Sequence, residues 1–593
     1  MRLRKPAIAL GTAALLALAA CGGGGGSSSS GNSSVNGEKL GQTGSGKDPT
    51  AKGPVTIAGA KKGGTVTVYT ATGLTTPIDP SNLYYTDTSA IGSALLFRSL
   101  TQFKYDPKTK QMILIPDLAT DLGTPNKDFT EWKFTIRDGI KWDNGQTVTA
   151  QDVAYGIIRS MDQKTFNQGA GLYYSNPYFL GGEKYKGPFT GHDPTGKDQQ
   201  AVSVSGNTIT IKMSQPFPDM PYYGTFPSMG PIPQGKDNPD TYALHPWSTG
   251  PYKIDSYTSG KSLVLSRNKY WDPNTDPGRT AYPDGYDFKA GQQSAQIDEI
   301  MLHDAGQGQT SLSYAELLAK DYRQMQQTAP DRVVVGPSPC TYYAAPDNRK
   351  ITDLKVREAL LWAYPYKDVM LASGVIPNVN AFPATSLFTP GVAGRQNYTL
   401  DGHTGFETDT QKAHDILQKS GNLGYEIKWP WRTDSDINTK SVALIGKSLT
   451  EAGFKFTKMA TTTANLSADV YDNPNWAGNV RDGTGWCQDW PSGATWIPPV
   501  FQTVDIKKVG NFGTNYAAFS QPYVDNQIKA IQKMPLSQQA DAWGALDKKI
   551  MTEWLPIIPE YYAGTAQAHG SKIHGMNIDT NLGEPTYKDI WIG

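Results

Sequence analysis

The chain reads as an α/β protein of two or more lobes, and three observations carry that reading. At 593 residues it is well past the roughly 250–300 residues at which one hydrophobic core stops growing. Stretches that alternate β-branched or aromatic residues with others, such as Gly64-Thr65-Val66-Thr67-Val68-Tyr69, occur along the same chain as stretches of helical spacing such as Lys355 to Tyr364. The 61 Gly and 41 Pro residues supply many turns and long irregular connections. Lys plus Arg equals Asp plus Glu at 55 each, so neither a nucleic-acid footprint nor an acidic tail is visible. The 31 Tyr and 14 Trp bring large contact area with few rotatable bonds, which suits cores and recognition surfaces alike.

Residues 1–21 open with Arg2, Arg4 and Lys5, continue through the apolar run Ala7 to Ala20 and stop at Leu18-Ala19-Ala20-Cys21. This is the pattern of an export signal, and the run is too short for a membrane span. Leu-Ala-Ala-Cys resembles the bacterial lipobox, which implies that Cys21 becomes the lipid-modified first residue of the mature protein. Several acyl chains on one cysteine make a stable anchor where a single chain is marginal. From Gly22 to about Gly63 the chain is rich in Gly, Ser, Asn and Thr, with almost nothing to bury, and is expected to be a disordered tether.

The folded part is expected to begin with the strand at residues 64–69. A turn at Thr76-Pro77-Ile78-Asp79-Pro80, a tyrosine-bearing loop at Asn82 to Thr86 and helical spacing from Ala90 to Leu100 follow. Phe129 to Ile136 alternates again and leads into Arg137-Asp138-Gly139-Ile140-Lys141-Trp142-Asp143-Asn144-Gly145. Read from its residues, this stretch is a hairpin with Asn144-Gly145 at the turn. A helix follows, capped by Thr149, with Asp152 in its first turn favouring the dipole.

The run Arg-x-Gly-x-Lys-Trp-x-x-Gly followed by Thr-Ala-x-Asp-Val resembles the signature of family 5 extracellular solute-binding proteins, the oligopeptide and dipeptide receptors of bacterial ABC importers. Further segments agree. Val202-Ser203-Val204 and Thr208 to Met213 read as strands around Gly206-Asn207, and Gly250-Pro251-Tyr252 with Tyr270-Trp271 is similar to a family segment. The resemblance implies a regular strand and a helix near 297–330. Ile297 to His303 fits the strand, whereas Gly306 to Gln309 and the glutamine-rich Asp321 to Thr328 are unusual there. Lys355 to Tyr364 resembles the helix that opens the second lobe. Thr410 to Ser420, Lys440 to Ala452, Val524 to Gln532 and Ser537 to Trp554 read as further helices, and Leu555 to Tyr562 is like the family's return strand. The resemblance covers about residues 64–593.

The resemblance implies a type 2 periplasmic-binding-protein fold, in which two α/β lobes are joined by two crossover segments and the first lobe carries an extra subdomain. The expected division is lobe I at 64–105, 250–339 and 557–593, its subdomain at 106–249, and lobe II at 340–556. Once Cys21 is set aside, Cys340 and Cys487 remain, an even pair in an exported protein, for which a disulfide is the default. Both contexts also resemble those of oligopeptide-binding members, in which such cysteines are bridged.

The nonapeptide Gly485-Trp486-Cys487-Gln488-Asp489-Trp490-Pro491-Ser492-Gly493 is where chemistry concentrates. From its residues two readings stand: a carboxylate between indoles that docks a cation, or a buried turn capped by Asp489. In the oligopeptide-binding members the acidic residue two places after the second cysteine pairs with the ligand's α-amino group, which implies that role for Asp489. Trp486 would wall the first subsite, the backbone at Gly485 and Cys487 would pair with the peptide main chain, and Tyr84, Tyr85 and Thr86 would face them from the first lobe. Many relatives read Asp-Tyr and then an acidic-Pro pair, whereas this chain has Asp489-Trp490-Pro491-Ser492, which leaves subsite size open. Arg481 is the nearest candidate for a ligand carboxylate, although an exposed surface arginine is the simpler reading.

No Gly-x-Ser-x-Gly, His-Glu-x-x-His or Gly-x-x-x-x-Gly-Lys-Ser/Thr motif occurs. His569 and His574 lack ligand company, and Asp434 with Asp436 reads as a solvated turn. The expectation is therefore a non-enzymatic, lipid-anchored monomer on the outer face of the cell membrane, without cofactor, metal or nucleic acid. It would take a peptide ligand and deliver it to the permease subunits of an ABC transporter. The alternatives are the same fold binding a nickel chelate or an oligosaccharide, and a secreted carbohydrate-active enzyme.

Overall fold

The computed structural model describes residues 46–74 and 76–593. The export signal, Cys21 and the tether as far as residue 45 lie outside the described residues. Two α/β bodies are joined by two long antiparallel strands, Val333–Pro346 and Ile558–Ala568, paired from Val333 opposite Ala568 to Ala344 opposite Ile558. At one end Ala568 and Val333 pack with Ile297, Met301 and Met325 of the first body. At the other, Tyr343, Ala344 and Ile558 belong to the core of the second. The same two strands thus serve both cores.

The first body is built on a five-stranded sheet in the order Ser311–Ser313, Thr65–Tyr69, Gly285–Lys289, Ser262–Arg267, Tyr252–Thr258. Thr65–Tyr69 is parallel to both its neighbours and so is an interior strand, and Val66 and Val68 are fully buried. Beside this sheet, Glu131–Thr135 pairs with Thr208–Lys212, and the latter with Val202–Ser205. These strands share a core with helix Ala150–Arg159. That helix starts where the sequence says it should: Thr149 and Asp152 form a capping box, side chain to backbone in both directions. Gly145 just before it sits at φ +89°, the left-handed conformation that its turn requires.

The second body wraps helices Leu354–Ala363, Thr410–Ser420, Asp436–Glu451 and Leu536–Glu553 around the parallel pair Glu426–Arg432 and Lys455–Thr461 and the far end of the crossover sheet. That sheet runs Ala381–Phe382, Ile558–Ala568, Val333–Pro346, Val480–Cys487, so Val480–Cys487 is an edge strand.

Two expectations are corrected. Ile297 to His303 is not a strand but the larger part of helix Ser294–His303. Ile297 and Met301 stand one helical turn apart and are both fully buried, and Gln293 with Gln296 closes a capping box. The glutamine-rich segment is also helical, Ala319–Thr328, and presents Met325 inward. Residues 46–63, assigned to the tether by composition, lie along the body instead. Leu114 N–H donates to Gly46 O and Asp48 N–H to Leu114 O, both at 2.9 Å, and the Lys47 ammonium sits 4.5 Å from the Tyr222 ring centroid. Backbone pairing to a strand edge needs no apolar side chains, so composition does not reveal it.

The corrected helices bring two carboxyl groups together. Asp298 Oδ1 and Asp321 Oδ2 have no donor among the described residues, while Asp298 Oδ2 accepts Leu318 N–H at 2.9 Å. Burial foremost, aided by the neighbouring Asp321, pushes Asp298 up to about 7. A carboxyl raised on folding stabilises the native state most below its unfolded value near ~3.9, and that contribution is lost as pH climbs toward 7. Scanning calorimetry should show the melting temperature falling between about pH 5 and pH 8. Asp298→Asn should shrink that fall; an equal fall in the variant would contradict the pairing.

Candidate functional site

The site begins from the register of Val480–Cys487 against Val333–Pro346. Cys340 stands opposite Cys487, and the two are disulfide-bonded with their Cα atoms 4.0 Å apart. That spacing belongs to a non-hydrogen-bonded antiparallel pair, and Gln488 N–H donating to Pro339 O at 2.9 Å confirms the alternation. Cys487, and Gly485 two residues earlier, therefore turn their backbone N–H and C=O groups away from the partner strand. Because the strand is an edge, those groups face off the sheet.

The chain leaves this edge at Asp489 and crosses to the first body. Asp489 is 3% exposed. Its Oδ2 accepts the Tyr84 hydroxyl at 3.0 Å and also the Tyr174 hydroxyl. Burial, and then the Asp489 charge, raises the Tyr174 hydroxyl well above the usual tyrosine range, so Tyr174 stays a donor. Trp490 goes further in. Its ring lies 4.6 Å from Tyr174 and about 6 Å from Phe217 and Phe226, and its Nε1–H donates to Asp219 Oδ2 at 2.8 Å. Trp490 is 1% exposed and packs in the core of the first body although it is carried by the second. Asp219 is raised by burial, against which the Trp490 and Ser492 donors and Lys47 act.

Of the residues singled out from sequence, Tyr84 meets Asp489 directly, and Gly485 and Cys487 lie on the strand end that leads to it. Tyr85 and Thr86 flank Tyr84 without reaching Asp489: Tyr85 is half-buried at the start of helix Thr86–Ile91, and the Thr86 hydroxyl donates to Glu584 at 2.9 Å. Trp486 turns its indole into the core of the second body and donates to Thr495 O at 2.5 Å. The tryptophan that reaches the first body is Trp490. Arg481 is neither surface-exposed nor turned to the cleft. It is fully buried, pairs with Asp347 at 3.2 Å and donates to Val470 O and Tyr516 O. Tyr174, Asp219 and the partners of Trp490 were not anticipated, because nothing local in their sequence marks them.

A cavity of about 60 Å³ adjoins Asp489, walled by helix residues 89–94, hairpin residues 102–112 and the C-terminal stretch 579–589. Among the described residues no group of three or more His, Cys, Asp or Glu is placed to hold a metal, and no helix is long and apolar enough to cross a membrane. The arrangement offers a carboxylate, outward backbone donors and acceptors, and tyrosine hydroxyls in a water-poor seam between two bodies. This is the chemistry that holds a cationic group attached to an extended chain.

Comparison with known proteins agrees with that chemistry. The sequence model described as "Bacterial extracellular solute-binding proteins, family 5 Middle" matches residues 114–507. The periplasmic oligopeptide-binding protein OppA of Salmonella typhimurium is 24% identical over 491 residues, 79% of this chain and 83% of the relative. The oligopeptide-binding protein OppA of Bacillus subtilis is 30% identical over 186 residues, 30% of this chain and 31% of the relative. Among solved structures, clavulanic acid biosynthesis oligopeptide binding protein 2 superimposes with a TM-score of 0.79 at 21% identity, over 92% of this chain and 99% of that one. The Helicobacter pylori protein DppA in complex with peptide STSA gives 0.65 at 17% identity, over 90% and 98%. The shared architecture is the type 2 periplasmic-binding-protein fold.

The Trp490–Asp219 bond spans the two bodies, so its loss should be felt in closure rather than in the fold of either. Trp490→Phe keeps an aromatic ring but removes one of the donors to the buried Asp219 carboxyl, a cost of about 1–3 kcal/mol. Small-angle scattering should show a larger radius of gyration for this variant than for the parent protein, with helix content by circular dichroism unchanged. An unaltered scattering profile would refute the assignment.

Proposed function

Because the chain is a member of the family 5 bacterial extracellular solute-binding proteins, a family of binding proteins rather than enzymes, we propose that it captures oligopeptides between its two lobes. Asp489 takes the ligand's α-amino group, and the outward backbone groups of Gly485 and Cys487 pair with the peptide main chain as an added strand. The observation that carries this reading is the position of Asp489. It sits at the end of an outward-facing edge strand, buried at the seam, and is touched from the other lobe by Tyr84 and Tyr174. The relatives named for oligopeptide binding support the ligand class.

Binding and closure are one equilibrium. A ligand held by Asp489 and the edge strand on one lobe, and by tyrosines on the other, favours the closed form by its differential contacts. The two long strands that serve both cores are the elements about which the lobes turn. The closed form is then the state a membrane permease of an ABC importer recognises. Lipid anchoring at Cys21 keeps the receptor beside that permease, and rests on the lipobox pattern of residues 18–21.

Two measurements test this. Removing the charge with Asp489→Asn leaves a buried ammonium without its counter-charge, at a cost of about 3–5 kcal/mol. Titration calorimetry with free-amine tetrapeptides should show affinity reduced about a hundredfold or more, and acetylating the peptide amine should have a comparable effect on the parent protein. Unchanged affinity in both arms would point to another solute, such as a nickel chelate or an oligosaccharide. For the anchor, Cys21→Ser should release the protein from the membrane fraction into the soluble extracellular fraction; retention on the membrane would overturn that part.

A further inference from the structure

The charged groups around the cavity beside Asp489 are all engaged. Asp489 accepts from Tyr84 and Tyr174, and Asp579 Oδ1 accepts the backbone N–H groups of Asn581 and Leu582 at 2.8 and 3.2 Å. Lys588 donates to Gln102 Oε1 at 2.9 Å and to Phe103 O at 2.6 Å, and Asp589 is faced by Lys588 and Lys104. What the wall lacks is neutral. The Ser89 and Tyr587 hydroxyls and both polar atoms of the Asn581 amide have no hydrogen-bond partner among the described residues, and all three residues are at most 2% exposed. Buried polar groups are ordinarily paired, so three side chains of one cavity wall are short of partners. Burial foremost raises the Tyr587 hydroxyl well above the usual tyrosine range, so it keeps its proton and can donate.

Asn581 is placed there by its turn. Ile578–Asp579 pairs with Glu584–Pro585, and residues 580–583 connect them. A hairpin turn is ordinarily where the chain meets water; this one is tucked inward. Gly583 N–H donates to Asp579 O at 2.6 Å, Gly583 adopts φ +69°, and a Cβ at that position would lie 2.8 Å from Ser338 Oγ. On its other side the Thr565 hydroxyl donates to Gly583 O at 3.0 Å. Ser338 and Thr565 belong to the two long strands that join the bodies, and Ser338 stands two residues before Cys340. The turn is thus wedged against the strand whose cysteine is bridged to Cys487, and Asn581 shares its cavity with Asp489.

We propose that the peptide this cleft selects carries a primary carboxamide side chain, asparagine or glutamine, on its amino-terminal residue, and that this side chain pairs with Asn581. The proposal rests on the reading that Asp489 holds the ligand's α-amino group. The first side chain branches from the carbon that bears that group, so an amine at Asp489 directs it to the cavity that Asp489 borders. The Asn581 amide presents an N–H and a C=O side by side, and only a partner with an acceptor and a donor on one side completes both bonds at once. Among side chains, a primary carboxamide is that partner. A carboxylate only accepts, an ammonium or guanidinium only donates, and a neutral imidazole points its two nitrogens apart. The peptide main chain does not substitute, because a trans peptide group holds its N–H and C=O on opposite sides. The second N–H and the second lone pair of the ligand amide are left for the Ser89 and Tyr587 hydroxyls, each of which donates and accepts. Size agrees with this: a cavity of about 60 Å³ holds roughly four waters, about the number of heavy atoms in an asparagine side chain.

The test is titration calorimetry on the mature protein with free-amine tetrapeptides. Asn-Ala-Ala-Ala and freshly dissolved Gln-Ala-Ala-Ala are each compared with an apolar counterpart of similar shape, leucine or methionine, and with an acidic one, aspartate or glutamate. Ala-Asn-Ala-Ala controls for position. At about pH 7.5 one of the two carboxamide peptides should bind at least about tenfold more tightly than its apolar and its acidic counterpart, since neither of those completes both bonds to Asn581. In Asn581→Leu the ratio of carboxamide to apolar peptide should fall to about one or below, with helix content by circular dichroism unchanged. The peptide series on the unmodified protein needs no variant to fold, and a ratio cancels any change common to both peptides. Equal binding of carboxamide, apolar and acidic peptides, as for a cavity that only holds water, would overturn the proposal. So would a preference for Ala-Asn-Ala-Ala, or a ratio indifferent to Asn581→Leu. If tetra-alanine binds and loses affinity on acetylation of its amine, the amine contact then still stands; if no free-amine peptide binds, both fall.

Discussion

A single cross-strand pair governs the site. Cys340 and Cys487 face each other on neighbouring strands and are covalently joined, so the alternation of inward and outward backbone groups along Val480–Cys487 has no freedom to slip. A slip of one residue would turn Gly485 and Cys487 inward and present Trp486 and Thr484 at the edge, reversing which groups a ligand meets. It would also withdraw Asp489, the second residue after the bridge, from Tyr84 and Tyr174. The bridge closes a sequence separation of 147 residues, which in the chain-entropy view removes about 5 kcal/mol from the denatured state. Its more consequential effect is positional: it ties the loop that carries Asp489 to one of the two strands that serve both cores.

Behind the cavity, a second constraint sets the orientation of Lys588. Arg98 and Arg279 lie with Asp117 and Asp276 in a cluster whose side chains are at most 1% exposed, with contacts of 2.7 Å between Arg98 and Asp117 and 2.8 Å between Arg279 and Asp117. Buried charges persist only when their hydrogen bonds are complete, and Asp276 is completed by Gln102 and Trp271. Satisfying Asp276 orients Gln102, and Gln102 holds Lys588. A structural ion cluster and the charge of the neighbouring cavity are therefore parts of one hydrogen-bond chain.

The contact between the two bodies centres on Trp490. Its indole fills an aromatic nest of the opposite lobe and its N–H meets a carboxyl that would otherwise lie buried without that donor. The segment Trp490-Pro491-Ser492, where this chain departs from the family pattern, is the part that crosses the seam. The departure bears on how the lobes meet as much as on the size of a subsite.

Much of this was legible in the sequence where the signal is local. The Thr149–Asp152 cap, the turn at Asn144-Gly145, the alternation of Thr65 to Tyr69 and the helical spacing of Leu354 to Ala363 all follow from neighbours a few residues apart. The Gly-Trp-Cys-Gln-Asp motif located Asp489, and Cys340 was found as its cysteine's partner by compartment, elimination and resemblance. Ile297 to His303 was misread because a short apolar run fits strand and helix alike until burial selects the period. Arg481 was judged by residue type, and only tertiary packing supplied Asp347 as its buried partner. Tyr174 and Asp219 were invisible because their contacts with Asp489 and Trp490 span hundreds of residues. By itself the sequence determined the lobed α/β fold and the family, and it singled out Asp489 as the candidate acidic residue. Tertiary structure alone decided which tryptophan crosses the seam and which tyrosines meet Asp489. Local periodicity and motif spacing are written along the chain, whereas burial and charge balance are properties of the space the folded chain encloses.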